Sequence, residues 1–130
     1  MSLMSATLQR IQIVDEAIFG RICSAILMLE GYEVGVATIY DGASDGECGH
    51  HDSLFVTSYP YCRHALKTFE TIKSPVIILT DQIDSHLMNL LQISENVTCM
   101  IKPIDYERFK ALVRDVMNGL VRVPGGFNVM

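Results

Sequence analysis

Pro75-Val76-Ile77-Ile78-Leu79-Thr80 decides how the rest of the chain is read. Four consecutive aliphatic residues, opened by a proline and closed by a threonine, are too few for a buried helix and favour a pleated backbone. Apolar and polar residues do not alternate within the run. The strand it predicts is therefore covered on both faces, as in a parallel sheet flanked by helices.

Outward from this run, strand-like and helix-like periods alternate. Toward the C-terminus, Leu87, Leu90 and Leu91 mark a helix from Asp84 to about Ile93, and a fifth strand follows from Val97 to Ile101. Asp105 is then placed to cap a last helix whose apolar line is Phe109, Leu112, Val113, Val116 and Leu120. Toward the N-terminus, Ala65, Leu66, Phe69 and Ile72 trace a helix behind Pro60. Leu54-Phe55-Val56-Thr57 is a short third strand. The stretch from Tyr40 to His51, with Gly42, Gly46 and Gly49, reads as a loop with at most a short helix. Leu8-Gln9-Arg10-Ile11-Gln12-Ile13-Val14 is the first strand and stops at Asp15-Glu16. Ile18, Phe19, Ile22, Ala25, Ile26 and Leu29 follow helical spacing up to Gly31, and a second strand runs from Tyr32 to Ala37 with Gly35 as its weak point.

Five such alternations predict an α/β fold, a doubly wound five-stranded parallel sheet in the order 2-1-3-4-5 with helices on both faces. The expected domain covers residues 8–120. Residues 1–7 read as an N-terminal tail, with Met1 to Leu3 a candidate cloning remnant ahead of a native Met4. Pro124-Gly125-Gly126 marks residues 121–130 as a C-terminal tail or the start of a linker.

The 130 residues are 49% apolar and 19% charged, which excludes global disorder and leaves room for one domain. A net charge of −5 argues against nucleic-acid or anionic-membrane binding through the overall field. No apolar run approaches the ~20 residues of a membrane span, and the start carries no signal-peptide pattern. Cys23, Cys48, Cys62 and Cys99 are expected as free thiols, which suits a cytoplasmic location.

In open parallel sheets, chemistry sits beyond the carboxyl ends of the strands. Those ends carry Asp15 and Glu16, then Thr57, Ser58 and Tyr59, then Thr80 and Asp81, then Lys102 and Pro103. Adjacent carboxylates are eased by a cation, and a lysine with a hydroxyl can hold a phosphoryl oxygen. Lys102 can equally serve as a structural counter-ion to Asp15, Glu16 and Asp81.

The motifs Ile13-Val14-Asp15-Glu16, Glu30-Gly31-Tyr32-Glu33-Val34, Pro75-Val76-Ile77-Ile78-Leu79-Thr80 and Lys102-Pro103-Ile104-Asp105 make the chain similar to a response-regulator receiver domain of two-component signalling, over roughly Leu8 to Gly119. The resemblance implies a flavodoxin-like three-layer sandwich and a place in phosphorelay signal transduction. It implies that Asp15 and Glu16 match the acidic pair that binds Mg²⁺. Thr80 matches the hydroxyl residue that contacts the phosphoryl group, Lys102 the lysine that pairs with it, and Lys102–Pro103 a usually cis peptide bond.

Departures from that pattern shape the functional expectation. The family closes its third strand with a phosphoacceptor aspartate. Alignment on Asp52-Ser53-Leu54-Phe55-Val56 puts Thr57 there, and alignment on Pro60 puts Val56 there. An acyl phosphate needs a carboxylate nucleophile, which neither supplies. The family also uses that carboxylate for Mg²⁺, so weak Mg²⁺ binding at Asp15 and Glu16 is the most expected, with no resident cofactor and no catalytic residue. Asp81 stands where the family keeps a very small residue and would block a phosphoryl group by bulk and charge. Cys99 replaces the switch aromatic of strand five, and the segment between Thr57 and Thr80 is short. The expectation is a degenerate receiver, not an enzyme. It would present its last strand–helix face to a protein partner or a fused output domain, and a homodimer is also expected as possible. One alternative is a working receiver modified at Thr57, Ser58 or Asp52; another is a small α/β ligand-binding or enzymatic domain using the strand-end crevice.

Two tempting constellations carry less weight. Cys48-Gly49-His50-His51 and Cys62-Arg63-His64 have zinc-like spacing but flank strand three, whose ends are about 15 Å apart. Residues 22 to 62 hold six acids and no lysine or arginine, and read as solvated surface.

Overall fold

The structure is a computed structural model that describes residues 10–37, 53–59, 61–63, 74–94, 96–102, 105–118 and 128–129. Its elements in chain order are β1 (Arg10–Val14), α1 (Ala17–Leu29), β2 (Glu33–Ala37), β3 (Ser53–Tyr59), β4 (Val76–Thr80), α2 (Ser85–Ile93), β5 (Val97–Ile101), α3 (Tyr106–Met117) and the short β6 (Asn128–Val129). The five main strands form one parallel sheet in the order β2-β1-β3-β4-β5, the expected doubly wound arrangement. β6 adds two residues in parallel to the outer edge of β5, opposite Thr98 and Cys99, within the stretch read as a tail or linker. The helix expected around Ala65 to Ile72, the loop from Tyr40 to His51 and Leu120 lie outside the described residues.

β4 is central and buried along its whole length. Ile77 and Leu79 point to one face, with Ile11, Ile13, Leu54, Val56 and Met100, under α1 and α3. Val76 and Ile78 point to the other, with Val14, Phe55, Tyr59, Val97 and Cys99, under α2. Two covered faces are the physical reason the run shows no polar alternation.

The caps of α2 and α3 and the end of α1 fall where the sequence indicates, while α3 ends at Met117, short of the expected Leu120. Asp84 caps α2 by accepting from the Leu87 amide at 2.9 Å, and Asp105 caps α3 by accepting from the Glu107 and Arg108 amides at 3.0 and 3.3 Å. Gly31 adopts a left-handed φ of 97°, which a side chain would oppose. The amides of Gly31 and Tyr32 there turn back onto the carbonyls of Met28 and Leu27.

Two features differ from the sequence reading. β3 continues through Ser58 and Tyr59 instead of stopping at Thr57. Tyr59 is a good strand former with a buried ring, and its hydroxyl donates to Asp84 at 2.6 Å, which ties the strand to the cap of α2. In α1, the core-facing side is Gly20, Cys23 and Leu27, while Ile18, Ile22, Ala25 and Leu29 look outward. Of the residues that announce the helix by their spacing, Phe19 and Ile26 are half-buried and the other four face outward.

Candidate functional site at the strand ends

All parallel strands deliver their carboxyl ends to one edge, so Asp15, Thr57, Thr80, Asp81 and Lys102 gather there. The register sorts them further. Val14 pairs with Thr57, so the next residues in each strand direction, Asp15 and Ser58, are level. Both continue the alternation of Ile11, Ile13, Leu54 and Val56, and so lie on the α1/α3 side.

There the Ser58 hydroxyl donates to Asp15 Oδ2 at 2.5 Å. The Glu16 amide donates to Asp15 Oδ1 at 2.8 Å. The Asp15 backbone amide in turn donates to the Ala37 carbonyl at 3.0 Å, which ties the site to β2. Asp15 is 1% exposed. Burial lifts its carboxyl above the ordinary value of 3.8, while the Ser58 bond, the Glu16 amide and Lys102 each pull it back down.

Lys102 follows β5 on the same side. Its ammonium sits 5.1 Å from the centre of the Phe19 ring of α1, a cation–π contact, and its amide donates to the Thr80 carbonyl at 2.7 Å. It acts on Asp15 through space. The direct ion pairs among the described residues join Arg10 to Glu33 and Lys110 to Glu30 and Glu107. Phe19 could not be assigned this role from its spacing, because helical periodicity shows which side a residue is on but not which cation lies above it.

Thr57 and Thr80 belong to the other face. Thr57 alternates with Phe55 and Tyr59 toward α2. Its hydroxyl lies beside the Cys62 thiol and favours the thiolate, in a geometry short of a hydrogen bond, so Oγ1 is buried without a hydrogen-bond partner. The Thr80 hydroxyl is taken up by its own turn, donating to the Gln82 carbonyl at 2.7 Å. Asp81 is exposed just beyond β4, and Glu16 is exposed at the N-cap of α1, where its side chain makes no capping bond. Cys99 is fully buried in the α2 face.

The structure thus brings Asp15, Ser58 and Lys102 together with Phe19, and separates them from Thr57 and Thr80. The contact between Ser58 and Asp15 was hidden by two missing residues at the end of the predicted third strand. Once β3 runs to Tyr59, the two-residue period puts Ser58 beside Asp15.

A hard divalent cation takes several carboxylate or carbonyl oxygens. Each Asp15 oxygen already accepts a hydrogen bond, and among the described residues no three His, Cys, Asp or Glu side chains come together. The described residues therefore offer no complete protein ligand set, although each Asp15 oxygen keeps a further lone pair. Burial pushes the Cys23 and Cys62 thiols up to about 12 and Cys99 to about 11, as expected of inert core cysteines. Pro103, Cys48, His50, His51, Asp52 and His64 lie outside the described residues. Among the described residues, no helix is long and apolar enough to cross a membrane. No protein-family model matches the chain, and no curated protein or solved structure is significantly similar to it.

Proposed function

We propose that the chain is a receiver-derived signalling module that engages a protein partner without aspartyl phosphorylation. The observation that carries this reading is the bond from the Ser58 hydroxyl to Asp15. The residue level with the buried acid at the end of β3 is a hydroxyl donor, not a carboxylate. A carboxylate could attack a phosphodonor directly, whereas an un-ionised hydroxyl needs a base. Lys102 then serves as a counter-charge that keeps a desolvated Asp15 tolerable, and Mg²⁺ binds weakly. The partner is a protein or an attached output domain meeting the β5–α3 side, where Tyr106 is exposed amid Glu107, Arg108 and Arg114.

Intact-mass measurement after incubation with acetyl phosphate and Mg²⁺ tests this reading, with an unchanged mass expected. One specific observation favours a second reading. Asp15 accepts a hydrogen bond from the Ser58 hydroxyl and is less acidic than an ordinary aspartate, so it is placed as a base for that hydroxyl. A gain of one phosphoryl group that Ser58→Ala abolishes would replace the first reading with the second.

A further inference from the structure

α1 is apolar almost all the way round, and Arg21 is the one charged side chain within it. Its sheet side is buried. On the opposite side Ile18 is 72% exposed, Ile22 44% and Leu29 86%, with Met28 beside them at 58%. A helix apolar on every side is ordinarily covered on every side. Ile18, Ile22, Ala25 and Leu29 follow one another at steps of four, three and four. This is the spacing of a coiled-coil seam, and it draws a straight line of about 16 Å down the helix.

We propose that this line is a self-association surface, in which α1 packs antiparallel against α1 of a second copy of the chain. The area suits that occupant. The exposed apolar surface of these residues is on the order of 500 Å², the upper range of what a lone protein shows. A standard interface buries about 800 Å² per partner with a core about 65% apolar, so the line supplies nearly the whole apolar core of an ordinary dimer.

Shape selects the orientation. A two-fold axis between Ile22 and Ala25 sets Ile22 against Ala25 of the partner subunit, and Ile18 against Leu29 of the partner subunit. Each large residue at the centre meets a small one, as close packing requires. A parallel pair would set Ala25 against Ala25 of the partner subunit and leave a gap. Antiparallel helices also set their macrodipoles head to tail. The outward face of α3, by contrast, carries Glu107, Arg108 and Arg114. The inference stands apart from the strand-end crevice, since it uses only the outer side of α1.

Sedimentation velocity of the full chain across concentrations tests it. The expected result is a dimer that dissociates on dilution through the micromolar range. Ile18→Glu/Leu29→Glu is expected to be monomeric at every concentration with an unchanged circular dichroism spectrum, because both side chains are already largely in water. Oxidising an equal mixture of the Ile18→Cys and Leu29→Cys variants is expected to give a mixed disulfide, with neither variant cross-linking alone. A chain that stays monomeric up to about 1 mM, a dimer that survives the double glutamate variant, or self-cross-linking of either single cysteine variant would overturn the proposal.

Discussion

Asp15 is a buried carboxylate whose surroundings only partly repay its desolvation. Burial is the largest influence on it and raises its pKa above the ordinary 3.8. In the native state it therefore binds its proton more tightly than in the unfolded chain. Stability falls as pH rises from the unfolded value through the native one, and the penalty persists at neutral pH. Asp15→Asn removes that charge while keeping an acceptor for the Glu16 amide, and the Ser58 hydroxyl can accept from the new amide group. The variant is expected to melt higher than the parent at pH 7, with the gain fading through about pH 4 and gone by about pH 3, where the parent carboxyl is protonated in both states. Thermal melts of both proteins across that range check the sign. The presence of an acid after the first strand was legible in the sequence. Its desolvation was not, because that depends on Ser58 and the α1 packing around it.

At the scale of elements, capping and strand periods were the most legible features. Asp84 and Asp105 precede their helices as hydrogen-bonding caps, a local preference that needs no tertiary context. Asp105→Ala is expected to cost about 1 kcal/mol, measured as a shift in the urea midpoint without a change in slope. What periodicity could not show is which side of α1 is inward. Gly20 packs close to Val36 and leaves little room for a side chain, so the buried face of α1 is built partly from a glycine. The longer line of Ile18, Ile22, Ala25 and Leu29 is left outside. Hydrophobic spacing reports that a face is apolar, not what covers it. β3 shows the complementary limit, since its last two residues are polar or aromatic and gain their place from Asp15 and Asp84.

Across the whole molecule, the order of the sheet follows from alternating strands and helices, and it alone brings the strand ends to one edge. Phe109 sits fully buried where α3 joins the face shared with α1. Phe109→Ala is expected to cost roughly 3–5 kcal/mol by chemical denaturation, a large part of the total stability of a domain this size. The site itself was legible as a set of residues but not as a geometry, because a strand-end set divides between two faces according to register, and register is a property of pairs of strands. On the proposed reading, this edge holds a buried, hydrogen-bonded acid in place of an open metal and phosphoryl site. A ¹³C NMR titration of the Asp15 carboxyl, with and without millimolar Mg²⁺, tests it most directly. The expected result is a pKa that stays above 3.8 with Mg²⁺ present. A pKa at or below that value, moved further down by Mg²⁺, would contradict it.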